Sequence, residues 1–131
     1  MSHPQKEFHQ EFRMNHRKTG NQAEEKASGY LEQKGYQILE RNFYTRYGEL
    51  DIICRSPEDV LVACEVKYRA STAYGDPLEA VRPIKRLHMS RAFRLYLQKH
   101  GGFEQPARFD VIAVYGDGRI CHIENAFYEG A

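Results

Sequence analysis

Asp51, Glu65 and Lys67 are the residues of this chain whose types and spacing point most directly to chemistry. They lie in residues 48–53 and 65–69, which read as two strand segments joined across the polar turn Ser56-Pro57-Glu58-Asp59. Glu65 and Lys67 are two positions apart, so they share one face of their strand. If the strands pair, Asp51 joins them. Two carboxylates and an ammonium on one sheet face suit work on a phosphodiester. Mg²⁺ is commonly held by one or two carboxylates, with water and substrate phosphate completing its octahedron. Such an ion polarises a phosphoryl oxygen and lowers the pKa of a water, while a lysine can orient that water or neutralise developing charge. The same residues also fit a structural Asp/Glu/Lys network at a strand end, because D-x(13)-E-x-K is a loose pattern.

The elements that must hold these groups follow from periodicity. In the first strand Glu49, Asp51 and Ile53 are expected to point one way, and Leu50, Ile52 and Cys54 the other. Residues 60–64 form an apolar run suited to a strand buried on both faces, and it ends abruptly in charge. Charged side chains there must be paired or bind a metal. Residues 21–34 read as a helix with Ala23, Ala27, Tyr30 and Leu31 on one face and Gly35 as its stop. Glu24 lies at the rim of that face and can look into a site on the sheet beneath. It equally fits an ordinary first-turn acid complementing the helix dipole. Glu25 falls on the opposite side.

Residues 36–39 and 41–44 read as extended, leading into the strand pair. A loop is expected over 70–77, a short helical turn over 78–81, and a helix from Pro83 to about His100, ended by Gly101-Gly102. Ile84, Leu87, Ala92 and Leu95 are assigned to its apolar face. Met89, Phe93 and Tyr96, with Phe127 and Tyr128, are left as candidates for a homodimer surface or for the remaining cover of the sheet. Arg82, Lys85, Arg86, Arg91, Arg94 and Lys99 stud the helix, with no acid from Arg82 to His100. That stretch suits a phosphate backbone, and it also suits a merely solvated face. Residues 108–115 and 120–123 form a strand hairpin around Gly116-Asp117-Gly118. The order predicts an α/β fold, a central mixed sheet flanked by helices.

At 131 residues the chain reads as one domain, 20–131, preceded by a flexible basic arm over 1–19. A net charge of +1 excludes a global polyelectrolyte argument for nucleic acid, so any electrostatic footprint is local. Cys54, Cys64 and Cys121 sit in apolar strand contexts without CxxC or zinc spacing, as expected of reduced thiols in a cytoplasmic protein. No run is long and apolar enough for a membrane span, and none reads as a signal peptide.

The segments Gly20-Asn21-Gln22-Ala23-Glu24, Arg41-Asn42-Phe43, Gly48-Glu49-Leu50-Asp51, Glu65-Val66-Lys67-Tyr68-Arg69, Asp76-Pro77-Leu78-Glu79-Ala80-Val81, Arg108-Phe109-Asp110-Val111 and His122-Ile123-Glu124-Asn125-Ala126-Phe127 together resemble the YraN-like family of bacterial proteins. That family is similar in fold to the restriction-endonuclease-like, PD-(D/E)xK nucleases, and most closely to archaeal Holliday junction resolvases. The resemblance implies Asp51 and Glu65 as ligands of Mg²⁺ or Mn²⁺, with the Val66 carbonyl as a third. It implies Lys67 as the catalytic lysine and Glu24 as the helix-borne acid. Glu49 matches the motif without a clear role. Arg69, Lys85 and Arg86 are the expected contacts to nucleic acid. The implied activity is a metal-dependent endonuclease on DNA, including branched or recombination intermediates; a DNA-binding or scaffold protein that keeps the fold without cleavage is the alternative. A small-molecule phosphohydrolase is a weak third reading, since neither a Gly-rich phosphate loop nor a nucleotide-base pocket signature is found in the sequence.

Overall fold

Leu61, Val62, Ala63 and Cys64 are fully enclosed, and that requires a layer on each side of their strand. The computed structural model describes residues 20–71 and 81–128 and supplies both layers. Helix α1 covers residues 20–33, followed by β1 (Gln37–Thr45), β2 (Gly48–Arg55), β3 (Leu61–Arg69), α2 (Pro83–Lys99), β4 (Ala107–Tyr115) and β5 (Ile120–Phe127). The strands lie side by side in chain order, antiparallel except for β3 and β4, which run parallel across the α2 crossover. This is a mixed five-stranded α/β sheet with a helix on each face, consistent with the restriction-endonuclease-like fold.

Alternation along β3 divides its core residues between the two layers. Val62 and Cys64 pack with Ala23, Ala27 and Leu31 of α1, whereas Leu61 and Ala63 pack with Met89, Phe93 and Tyr96 of α2. Helix α1 ends where expected. Gly35 takes φ 89, and the amides of Tyr36 and Gly35 turn back to the carbonyls of Leu31 (2.9 Å) and Glu32 (3.0 Å). A side chain at Gly35 would be strained, so the glycine fixes where the chain leaves the helix for β1. Pro83 opens α2, as its preset φ favours.

The extended segment expected over 36–39 and 41–44 is strand β1, whose pairing slips by one residue between Ile38 and Glu40. The structure corrects two expectations. The core face of α2 is not the expected one: Ile84 is 60% exposed, Leu87 and Leu95 are half-buried, and Met89, Phe93, Tyr96 and Leu97 are buried with Ala92. Aromatic partners decide this. Phe93 meets Phe109 edge-on (centroids 5.3 Å) and Tyr96 meets Phe43 (5.5 Å), contacts of larger area than Ile84 could make. Met89, Phe93, Tyr96 and Phe127 therefore finish covering the sheet, and of the expected dimer surface only Tyr128 is exposed.

The second correction concerns β2. Leu50 packs with Ile53 on the α2 side, while Ile52 and Cys54 pack on the α1 side, so alternation breaks between Leu50 and Ile52. At that point Asn42 of β1 has φ 55, and Asn42 and Asp51 drop out of a ladder that continues through Arg41 with Ile52 and Phe43 with Leu50. The expected arm over 1–19 and most of the turn expected over 78–81 lie outside the described residues. Among the described residues no helix is long and apolar enough to cross a membrane.

Candidate active site

Strands β2 and β3 pair from Arg55 with Leu61 as far as Ile52 with Cys64, and then part. The Asp51 carboxylate enters the gap: the Val66 amide donates to its Oδ2 at 2.8 Å. A side-chain oxygen thus does the work of a backbone carbonyl, which holds the acid rigidly beside β3. Glu65, 4% exposed at its side chain, lies on β3 with Lys67 Nζ 3.2 Å from Oε1. From α2, Lys85 Nζ stands 3.7 Å from Oε2. That oxygen is buried and has no hydrogen-bond partner among the described residues.

Helix α1 delivers Glu24 to the same place. One carboxylate oxygen each from Glu24, Glu49 and Asp51 falls within 4.8 Å of the others. Asn42 stitches two of them together: in the amide orientation that satisfies both partners, its NH₂ donates to Glu49 Oε1 (3.2 Å) and Glu24 Oε2 (3.1 Å). Arg41 flanks the cluster, 3.8 Å from Glu24 and 2.6 Å from Glu25.

Burial and like charge show in the protonation of these acids. Burial, then the neighbouring Glu65 carboxylate and Glu24, push Asp51 from 3.8 up to about 8, although the Val66 amide favours its charged form. Glu24 is also raised, first by burial and then by Glu49, against the opposing pull of Asn42 and Arg41. Perturbed acids clustered in this way make the group a candidate functional site.

Of the residues read from the sequence, Glu24 and Asp51 gather in one cluster, and Glu65, Lys67 and Lys85 form an ion-paired group beside it. The sequence reading paired Asp51 with Glu65 as ligands and left Glu49 without a role; in the structure Glu49 shares the tight carboxylate cluster with Glu24 and Asp51. Arg69 sits further along β3, half-buried, its Nε enclosed without a hydrogen bond. Arg86 is not brought to the site: its Nε donates to the Val81 carbonyl at 2.8 Å and its guanidinium lies 5.4 Å over the Phe127 ring.

Asn42 and Arg41 touch the acids of this cluster, contacts that residue type and spacing did not reveal. The available signal was an Asn inside an otherwise strand-like run, a residue that tolerates positive φ.

A second polar group, also not foreseen, occupies the other end of the sheet. Asp110, 0% exposed, accepts from Arg108 Nε (3.0 Å) and the Asn125 amide (2.9 Å), with His122 Nε2 at 2.7 Å. Arg108 reaches on to the Tyr36 hydroxyl at 2.8 Å, and His122 Nδ1 lies 3.1 Å from that of Tyr30. Burial raises the Asp110 carboxyl, but His122, Arg108 and the Asn125 amide outweigh it and leave it below its ordinary value.

Comparison with known proteins places the chain. The model of the uncharacterised protein family UPF0102 matches residues 23–114, a stretch holding the whole acidic cluster with Lys67 and Lys85. The chain belongs to the UPF0102 family. This is the YraN-like family to which the motifs pointed. A UPF0102 protein of Syntrophomonas wolfei is 47% identical over 114 residues, covering 85% of this chain and 98% of its own. One from Pelobacter propionicus is 46% identical over 120 residues, 88% of this chain and 86% of its own. A third, from Vibrio vulnificus, is 39% identical over 117 residues, covering 87% and 95%.

Proposed function

We propose that this UPF0102 protein is an endonuclease that hydrolyses phosphodiester bonds in DNA with Mg²⁺ or Mn²⁺. The observation that carries the reading is the Asp51 carboxylate. It is buried among Glu24, Glu49 and Glu65 and locked to the Val66 amide where the strands part. The donors fit a hard divalent ion: they are carboxylate oxygens, they repel one another, and Glu65 Oε2 is buried without a hydrogen-bond partner among the described residues. Asp51 would hold the ion with Glu65 or with Glu24 and Glu49, and the ion would supply Lewis acidity and a more acidic water.

The chain's own groups account for the rest. Lys67, fixed 3.2 Å from Glu65, places an ammonium where negative charge grows on the phosphoryl oxygens. The water oxygen bonds to phosphorus as the bond to the leaving sugar oxygen breaks. The water gives up a proton to a carboxylate of the cluster, and the leaving oxygen gains one from solvent. Asn42 and Arg41 keep Glu24 and Glu49 oriented through this exchange.

One feature favours a second reading, a DNA-binding protein without turnover. Glu65 already has Lys67 and Lys85 beside it, so part of the site is neutral without a metal. A panel of duplex, single-stranded, flapped and four-way-junction DNA with Mg²⁺ or Mn²⁺ separates the two. The nuclease reading expects cleavage of at least one member that Lys67→Ala reduces about a hundredfold or more. Binding without cleavage on every substrate leaves the second reading. Cleavage that survives undiminished in Lys67→Ala removes the assigned lysine.

A further inference from the structure

The outer side of α2 is not uniform. Ile84, His88, Arg91, Leu95 and Gln98 recur at helical spacing and form one stripe alongside the β1–β2 turn. The turn approaches the helix closely there, since a side-chain carbon at Gly48 would come within 3.9 Å of His88. Its bend is fixed by the Thr45 hydroxyl, which accepts from the Tyr47 amide (3.0 Å) and donates to the Gly48 carbonyl (2.9 Å). Between turn and helix lies an open cleft of about 260 Å³, lined by Tyr47, Arg91, Arg94, Leu95, Gln98 and Phe103.

The chemistry of this cleft is arginine layered on aromatic rings. The Arg46 and Arg91 guanidinium carbons lie 4.9 and 5.6 Å from the Tyr47 ring centre, and that of Arg94 lies 5.0 Å from the Phe103 ring centre. Phe103 is 55% exposed, an unusual placement for a ring that could have been buried. Among the described residues that line the cleft none is acidic. Flat rings and guanidinium planes accept the faces of unpaired bases whatever their sequence, and the arginines supply donors for the phosphates between them. A continuous duplex hides base faces in its stack, so only unpaired nucleotides would use the rings.

Position connects the cleft to the acidic cluster. Lys85, which faces Glu65, and Arg91, which faces Tyr47, are on the same helix about 9 Å apart along its axis. Tyr47, in the turn, and Asp51, in β2, are likewise only four residues apart, about 13 Å if the chain between them were extended. A strand held in the cleft would run on to the carboxylates within a few nucleotides.

We propose that this arginine–aromatic cleft binds single-stranded nucleic acid and directs the enzyme to DNA with an unpaired segment next to the cut. The inference rests on the nuclease reading for its second half only; strand binding stands without it. The test is fluorescence anisotropy at low salt, with labelled oligothymidine and a blunt duplex as probes, on the wild type, Tyr47→Ala, Phe103→Ala and Arg91→Ala. The expected result is a loss of about tenfold or more in affinity for oligothymidine on removing either ring, with duplex affinity changed by less than about twofold. Tyr47→Phe, which keeps the ring, should restore binding, and it controls for misfolding at the half-buried Tyr47. Arg91→Ala should also flatten the salt dependence of oligothymidine binding. Unchanged oligothymidine binding in both ring variants overturns the proposal, as does equal loss for single strand and duplex. The cleavage panel read alongside separates the two ideas. Cleavage with no preference for unpaired DNA defeats the directing half of this inference but not the nuclease reading, whereas ring-dependent strand binding without cleavage removes the nuclease reading and the directing half and leaves strand binding standing.

Discussion

Asp51 and Asp110 are both buried strand aspartates, and each stands opposite a left-handed asparagine where a sheet ladder is interrupted. Asn42 (φ 55) faces Asp51, and Asn125 (φ 50) faces Asp110 where the β4–β5 register slips between Phe109 and Val111. The surroundings then diverge. Asp110 is met by a guanidinium, an imidazole and a backbone amide, which hold its carboxyl below the ordinary value. Asp51 has one backbone amide and is otherwise faced by carboxylates, and its carboxyl rises to about 8. The same local break in a sheet thus produces a carboxylate met by cationic groups in one place and a carboxylate crowded by other carboxylates in the other. The crowded one belongs to the candidate site.

The sharpest way to break this contrast is to remove both acids in turn. Asp110→Ala leaves Arg108 and His122 without their shared partner. It should lower stability by about 3–5 kcal/mol, read from urea unfolding. A loss under about 1 kcal/mol would show that the Asp110 network is not structural. Asp51→Asn should act in the opposite direction. Without divalent ions at pH 8 it removes a repelled buried charge and should raise stability by about 1–2 kcal/mol, a rise in Tm on the order of 5 °C. A fall in Tm would mean that the acids around Asp51 are already balanced.

The pH dependence carries a smaller effect, with signs fixed by the two shifts. The folded value of Asp51 is raised, so its penalty is absent below about pH 4 and grows as pH climbs from 3.8 through about 8. The value of Asp110 is lowered, so its contribution is present above pH 3.8 and is lost as pH falls through the folded value. Metal-free protein should therefore melt at lower temperature at pH 8 than at pH 5.5, and Mg²⁺ should recover most of the difference. Asp51→Asn should flatten that slope; a slope that persists in the variant assigns it to other groups. Smallest of all is the exposed Arg55–Asp59 pair at 3.1 Å. Arg55→Ala should change stability by less than about 0.5 kcal/mol, which would show that enclosure, rather than ion pairing as such, gives Asp110 its weight.

Much of the frame was legible in the sequence because local chemistry dictates it. Gly35 stops α1, Pro83 starts α2, and an apolar run of β-branched and small residues makes β3 the central strand. The acidic cluster was legible as far as period and pairing reach, which brought Glu24 and Asp51 to one place. The face of α2 was not legible. Its apolar residues fall on two stripes, Ile84 with Leu95 and Met89 with Phe93 and Tyr96, and periodicity alone does not choose between them. Phe43, Phe109 and Phe127, distant in sequence, make that choice. Neither break in the ladder was legible for a related reason. An Asp within a strand reads as a solvent-facing residue until the partner strand is known, and only then does it become a carboxylate standing in for a carbonyl.

That substitution makes the Val66 amide a built-in reporter. A proton on this amide senses the charge of whatever its acceptor holds, because the acceptor is the Asp51 carboxylate itself rather than an inert peptide oxygen. Its NMR frequency should move as Asp51 gains a proton or an ion, while the amides of Val62 and Cys64, inside the regular ladder, stay still. Occupancy of the centre can then be followed one resonance at a time, without substrate or turnover.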